Sequence, residues 1–170
     1  MSTNISSIAD HVDQACHSKR CNSGECVVNL TNLPSSPNRL IIKMDCDELK
    51  ITPGGKRCDY IIFLDFNNRN DSIVIVPIEM KSGKIHGITN IVQQIESGIK
   101  AAQQWIGNNT STTFFPVLVH NGIHSHNRTK LKDAMIQIDK NKKSKLILMK
   151  CGDFLINKLR QNKKSNKNRT

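Results

Sequence analysis

The feature that most constrains the fold is an apolar run in the middle of the chain. Residues 73–78 read Ile-Val-Ile-Val-Pro-Ile, and Glu79, Met80 and Lys81 follow without a break. A β-branched run of this length is typical of a central strand. Pro77 has no N–H to donate to a neighbouring strand, so we expect a bulge or irregular pairing there.

Seven apolar residues after this run repeat with helical period over about five turns, namely Ile88, Ile91, Val92, Ile95, Ile99, Ala102 and Ile106. Further strands are predicted at 40–44, 58–64, 113–119 and 145–149. Helical segments are predicted at 5–16, capped by Ser6 or Ser7, at 131–138 and at 154–159. The core order α-β-β-β-α-β predicts an α/β (α+β) fold, a mixed central sheet flanked by helices.

Length and composition favour one domain with its own core. The chain has 170 residues, of which 37% are hydrophobic, so it can bury a stable core without the help of disulfides or a metal ion. No apolar stretch approaches the ~20 residues of a membrane-spanning helix, and residues 1–7 do not look like a secretory signal. We therefore expect a cytoplasmic protein with no membrane partner, whose domain covers residues 1–160.

The positive charge is concentrated near the C-terminus. The chain has 25 Lys+Arg and 14 Asp+Glu, a net charge of +11, and residues 139–170 contain eleven of the basic residues against two acidic ones. Because residues 161–170 have no apolar side chain, we predict a disordered basic tail there. The excess favours a polyanionic partner, with a merely solubilising tail as the alternative and docking to a protein or a membrane as a weaker one.

The six cysteines form no C-x-x-C pair. Without a secretory signal we expect them to be free thiols rather than a disulfide framework. The densest cluster comprises Cys16, Cys21 and Cys26 with two nearby histidines, His11 and His17. Its four-residue gaps do not match the usual zinc spacing, so a structural zinc is the less favoured interpretation.

Three ionisable residues interrupt the apolar pattern of two neighbouring strands. Asp59 lies near the start of one strand, and Glu79 and Lys81 lie two apart, on one face, near the end of the next. If the strands pair through a turn at 67–71, the two carboxylates lie at the same end of the hairpin. Two converging carboxylates repel each other unless a cation lies between them, and Mg²⁺ prefers such oxygen ligands. Ordinary ion pairs at strand ends are the alternative.

At these residues the chain resembles the PD-(D/E)xK nuclease superfamily, which has the restriction-endonuclease-like fold. The match consists of Cys58-Asp59 on one strand and Glu79-Met80-Lys81 on the next, followed by a Ser82-Gly83 turn and a long helix. It covers roughly residues 40–120. The sequence departs from the pattern at two positions. Cys58 replaces the Pro of the family's name. Gly98 lies one helical turn after Gln94, where an exonuclease-like subgroup has a Tyr.

The resemblance implies a role for each matching residue. Asp59 and Glu79 would bind Mg²⁺ or Mn²⁺, and Lys81 would act on the attacking water. Many members of the superfamily also carry a Gln on the helix after the motif, which Gln94 matches, with Gln93 as its rival. Many carry an acidic residue in the N-terminal helical region, for which Glu25 is the best candidate and Asp10 or Asp13 are weaker ones.

Basic residues after the fourth predicted strand could extend a nucleic-acid-binding face, namely Arg128, Lys130, Lys132, Lys142, Lys143 and Lys145. Residues 120–126 include three histidines, and we interpret them as a polar loop that contacts phosphates rather than as a metal centre. Trp105, at the end of an apolar helix, is expected in the core.

These observations predict a metal-dependent nuclease that hydrolyses phosphodiester bonds of nucleic acid, with DNA as the expected substrate, in restriction, phage defence or repair. The alternative is a non-catalytic nucleic-acid-binding or partner subunit that keeps the nuclease fold. The resemblance also makes a homodimer possible, since cutting both strands of a duplex requires two sites.

Overall fold

A mixed sheet formed around the central apolar run organises the chain. The computed structural model describes residues 4–49, 55–67, 72–83, 85, 87–107 and 110–167, with side chains to residue 163. In chain order its elements are α1 (Ile5–Ala9), a 3₁₀ turn (Gln14–Cys16), β1 (Asn22–Ser23), β2 (Cys26–Val27), β3 (Arg39–Lys43), β4 (Tyr60–Leu64), β5 (Ser72–Lys81), α2 (Ile88–Gln104), β6 (Ser111–Phe114), β7 (Val117–His120), α3 (Ser125–Lys132), β8 (Met135–Asp139), β9 (Lys142–Lys145), β10 (Ile147–Lys150) and α4 (Leu155–Lys167).

The main sheet has the strand order β10-β7-β5-β4-β3, and β6 pairs with the first half of β5. Strands β3, β4 and β5 are antiparallel, whereas β5 is parallel to β6 and β7, and β7 is parallel to β10. Helix α2 connects β5 to the parallel part. The mixed sheet flanked by helices is therefore confirmed.

Both faces of β5 are covered, which explains why its sequence does not alternate. Ile73 and Ile75 belong to a core cluster that includes α1 and α2 residues. Val76 and Ile78 belong to a second cluster with the β1–β2 hairpin and α4. Every residue of β5 from 73 to 80 is buried.

Pro77 lies where the partner of β5 changes. One edge of β5 pairs with β6 up to Ile75 and with β7 from Ile78 onward, and Phe115 and Pro116 separate those two strands. On the other edge Pro77 is opposite Ile61 of β4. The irregular pairing expected at Pro77 is confirmed, and the predicted strand at 113–119 is two strands.

A close approach of α2 to the sheet requires a glycine. A Cβ atom on Gly98 would lie 2.4 Å from Cys58 Sγ and 3.5 Å from Pro77 Cβ. The approach to Cys58 Sγ is closer than a side-chain Cβ atom tolerates, so Gly98 lets α2 pack directly on β4 and β5. This packing places the first half of α2 beside the end of β5.

Two predicted helices differ from the structure. The N-terminal helix ends at Ala9 and is followed by a separate 3₁₀ turn, and Asn4 caps it by accepting from the Ser7 N–H at 2.7 Å. The predicted helix at 131–138 is wrong, because α3 ends at Lys132 and β8 follows. Ile136 and Ile138 are buried and alternate with more exposed residues, which is the period of a strand.

Helix α4 extends through Lys167, into the segment predicted to be a disordered tail. Its first turns are anchored in the core by Leu155, Ile156 and Leu159. Farther along, Lys163 Nζ lies 5.3 Å from the ring centroid of Phe66, a cation–π contact. Apolar anchoring of one end lets the helix propagate into a polar sequence.

The prediction of six free thiols is wrong for four of them. Cys16 is bonded to Cys46 and Cys26 to Cys151, whereas Cys21 and Cys58 are free and buried. The predicted cluster of three cysteines is therefore divided between two disulfides and a thiol, which removes the zinc interpretation. Among the described residues no helix is long and apolar enough to cross a membrane.

Candidate active site

Asp59 and Glu79 lie at the same end of two paired strands. The pairing of β4 with β5 ends at Tyr60 and Ile78, so Asp59 directly precedes the paired residues of β4 and Glu79 directly follows those of β5. The Asp59 N–H donates to the Ile78 carbonyl at 3.0 Å, and the Met80 N–H donates to Asp59 Oδ2 at 2.6 Å. The backbone of β5 therefore holds the Asp59 carboxylate in place.

Glu79 is a carboxylate in the interior with one oxygen unsatisfied. Its residue is 1% exposed, and Oε1 accepts from Lys81 Nζ at 2.5 Å. Oε2 is buried and has no hydrogen-bond partner among the described residues. Lys81 itself is partly exposed, so the ion pair connects the interior to the surface.

Both carboxyl groups are destabilised in their charged form. The pKa of Glu79 is raised to about 7. Burial is the largest cause, the charge of Asp59 acts in the same direction, and Lys81 opposes both. Burial also raises the pKa of Asp59, against the opposing effects of the Met80 N–H and Lys81. Lys81 thus lowers the pKa of both carboxyl groups, and additional positive charge at this position would stabilise their ionised forms further.

Helix α2 contributes Gln94 to this group. Its side-chain amide donates to the Arg57 carbonyl at 3.1 Å, and the side chain lies near enough to Glu79 to lower the pKa of that carboxyl. Gln93 points elsewhere and accepts from Lys56 Nζ. Of the two candidates, the structure therefore places Gln94 beside the carboxylates.

The structure does not bring the predicted N-terminal acidic residue to the site. Glu25 is exposed in the turn of the β1–β2 hairpin, and that hairpin packs on the face of the sheet opposite to Glu79. Asp10 and Asp13 line a cavity with Trp105, whose ring contacts Phe63 near the far end of β4. The sequence could not locate Glu25, because the hairpin has only two residues per strand.

The residues present fit a hard divalent cation through two carboxylates. Asp59 and the unpartnered Oε2 of Glu79 are oxygen ligands of the type that Mg²⁺ takes together with waters and substrate oxygens. Among the described residues, the one group of three potential ligand residues lies elsewhere, at Cys16, Cys46 and Glu48. The two cysteines of that group form a disulfide, so their sulfurs are not thiolate ligands.

The predicted basic face is divided between two elements. Arg128, Lys130 and Lys132 are exposed on α3, and Lys142, Lys143 and Lys145 are exposed on β9. Strand β9 pairs with β8. Strand β8 is held on α2 by two hydrogen bonds, from the Gln103 side chain to the Ile138 carbonyl and from the Gln137 N–H to the Glu96 carboxylate. Helix α3 follows the loop after β7, and β7 itself ends next to Lys81.

The predicted histidine loop is wrong for its first member. His120 is the last residue of β7, is 5% exposed and lies in register with Lys81, whereas His124 and His126 are exposed. A polar residue that ends an apolar strand is the same signal that identified Glu79. That signal could have found His120, but the following polar residues obscured it.

Comparison of the chain with protein-family models, with curated proteins and with solved structures finds no match. The interpretation of the site therefore depends on its own geometry and chemistry.

Proposed function

We propose that the chain is a metal-dependent nuclease of the restriction-endonuclease-like fold, with Asp59, Glu79 and Lys81 at its active site. The main support is the buried, half-satisfied Glu79 carboxylate beside Asp59 and Lys81. An isolated buried carboxylate is costly, and carboxylates with strongly perturbed pKa values cluster at functional sites, which supports the proposal.

The proposed roles follow from the contacts. Asp59 and Glu79 would hold Mg²⁺ or Mn²⁺, which when bound polarises a phosphoryl oxygen and lowers the pKa of a water. Lys81, now paired with Glu79, would orient the attacking water and stabilise charge on the phosphate. Gln94 positions Glu79. The water adds to phosphorus, one ester bond breaks, and the leaving oxygen takes up a proton.

DNA is the proposed substrate, in restriction, phage defence or repair, and a homodimer would suit cleavage of both strands. A cytoplasmic location remains a prediction. The two disulfides stand against it, because disulfides are rare in reducing compartments.

The alternative function is a non-catalytic nucleic-acid-binding protein. The exposed lysines of α3 and β9 favour it as much as they favour a nuclease. It predicts salt-sensitive DNA binding without metal-dependent cleavage.

The test is cleavage of plasmid and oligonucleotide DNA with Mg²⁺ or Mn²⁺, with and without EDTA. We expect cleavage by the wild type that EDTA abolishes. Asp59→Asn and Glu79→Gln should remove cleavage, and Lys81→Met should lower its rate about 10²–10⁴-fold. Glu25→Gln, an acidic residue outside the site, is the matched control and should cleave normally. Equal cleavage by the three site variants and the wild type would overturn the proposal.

A further inference from the structure

His120 has an unsatisfied buried nitrogen beside the proposed site. Three buried side-chain N or O atoms lack a hydrogen-bond partner among the described residues: Glu79 Oε2, His120 Nδ1 and His17 Nε2. An unpaired buried polar atom is unfavourable, because it has lost its hydrogen bonds to water without gaining others. Two of the three occur on neighbouring strands, β5 and β7, which is not expected of residues that serve packing alone.

The parallel register places His120 between two lysines. It lies opposite Lys81 of β5 on one side and Lys150 of β10 on the other. Residues in register on parallel strands project to the same face, which here is also the face of Glu79. Neighbouring strands are about 4.8 Å apart, so the three residues form a row about 10 Å long at the carboxyl ends of the strands.

The surroundings of His120 are positive. Burial is the main cause that lowers its pKa, and Arg128, Lys150 and Lys158 lower it further, whereas Asp153 raises it. Asp153 is occupied, since it accepts from the Lys150 N–H at 3.2 Å and lies 3.7 Å from Lys158 Nζ.

The cations next to this imidazole are available to a ligand. In the part of the chain that the structure describes, neither the Lys150 side chain nor the Arg128 side chain forms an ion pair. A neutral imidazole flanked by two such cations matches an anion that accepts hydrogen bonds.

A cavity opens at the same strand ends. It has a volume of about 380 Å³ and is lined by Ser82 and Gly83, which follow β5, and by residues 121–124, which follow β7. In sheets with parallel strands, ligands bind outside the carboxyl ends of the strands. Lys81 and His120 each directly precede a segment that lines this cavity.

We propose that His120, Lys150 and Arg128 form a subsite for a backbone phosphate of DNA, next to the phosphate that is cleaved. The proposal rests on the proposed function, because the cleaved phosphate is located by Asp59, Glu79 and Lys81. Lys81 is one end of this row, so the row places His120 and Lys150 beside a residue proposed to act on the cleaved phosphate.

The first test measures binding of a fluorescein-labelled DNA duplex by fluorescence anisotropy, in EDTA, over a series of KCl concentrations. Lys150→Ala should weaken binding about tenfold, and it should reduce the slope of log affinity against log salt by about one. Lys100→Ala is the matched control, because Lys100 is also an exposed lysine but lies on α2 away from the strand ends. Equal slopes for both variants and the wild type would overturn the subsite.

The second test separates binding from stability. His120→Leu replaces an unpaired polar side chain by an apolar one of similar size, so the melting temperature should stay the same or rise. DNA affinity should nevertheless fall about tenfold. Unchanged affinity would contradict a ligand role for His120, as would a lowered melting temperature, which indicates a purely structural residue.

The two proposals can fail separately. If metal-dependent cleavage is absent but Lys150→Ala lowers the salt slope, the subsite stands as a DNA-binding site and the nuclease function fails. If cleavage is present but Lys150→Ala and His120→Leu bind like the wild type, the nuclease function stands and the subsite fails.

Discussion

Lys81 Nζ lies 2.5 Å from Oε1 of Glu79, while Oε2 of the same carboxylate is buried without a partner among the described residues. A buried ion pair is favourable only when its remaining polar atoms are also satisfied. The free oxygen leaves this condition unmet among the described residues. The negative charge of Asp59 makes the ionised form of Glu79 still less favourable.

The raised pKa of Glu79 predicts a loss of stability with increasing pH. The pKa is about 7 in the folded protein and 4.5 in an ordinary carboxyl group, so the folded state binds more protons over this interval. The contribution of Glu79 to the free energy of unfolding should therefore be largest below pH 4.5, fall as pH rises to about 7 and then level off. Asp59, whose pKa is also raised, acts in the same direction.

Glu79→Gln provides the measurement. Urea unfolding at about pH 5 and about pH 8 should show a smaller decrease for this variant than for the wild type. Mg²⁺ should recover part of the lost stability of the wild type at the higher pH, because a bound cation favours ionised carboxylates. An equal change in the wild type and in Glu79→Gln between these two pH values would contradict the assigned environment of Glu79.

Gly98→Ala should destabilise the protein by about 1–3 kcal/mol, because the new Cβ would overlap Cys58 Sγ. Gly83→Ala is the control, since no atom lies within 4 Å of a Cβ at that position. In the double variant with Cys58→Ala, the nearest atoms are the Cβ atoms of Pro77 and residue 58, at 3.5 and 3.6 Å. Chemical denaturation should therefore show that the second substitution offsets part of the first. Strictly additive losses would contradict the contact.

The cysteine pairing predicts the number of reactive thiols. Alkylation in denaturant without a reducing agent should add two groups, at Cys21 and Cys58, and alkylation after reduction should add six. In the native protein both free thiols should react slowly, since burial raises the pKa of Cys21 to about 12 and also raises that of Cys58. Intact-mass spectrometry makes the count, and six adducts without reduction would refute both disulfides.

Reduction should also lower the stability of the fold. The Cys26–Cys151 bond joins residues 125 apart in the sequence, and it links the β1–β2 hairpin to the turn before α4. Loss of a native disulfide typically costs 2–5 kcal/mol. Urea unfolding with and without a reducing agent should show a decrease of this order, and an unchanged midpoint would mean that the bonds contribute nothing.

The sequence predicted the elements whose period is unambiguous. The run at 73–81 and the helical pattern that begins at Ile88 are long, and both are found close to their expected bounds. Asp59, Glu79 and Lys81 were recognisable because each interrupts an apolar pattern, and the pairing of β4 with β5 then places Asp59 and Glu79 at the same end of the two strands. Local pattern was sufficient for both results.

Features set by distant contacts could not be predicted in this way. The disulfides join residues 30 and 125 positions apart, and spacing does not encode their partners. Strand β8 was missed because Leu131 and Ile138 also fit a helical period, and its pairing with β9 decides between the two. Helix α4 extends into a polar sequence because its first turns are packed in the core, which composition alone does not show.

Binding of Mn²⁺ measured by isothermal calorimetry tests the central proposal most directly, because it does not depend on finding the right DNA. The wild type should bind with a stoichiometry of about one ion per chain, more tightly as pH rises through the pKa of Glu79. Asp59→Asn and Glu79→Gln should weaken binding at least about tenfold, whereas Glu25→Gln should bind as the wild type does. Equal affinity in Glu79→Gln and the wild type would contradict a metal site at Asp59 and Glu79.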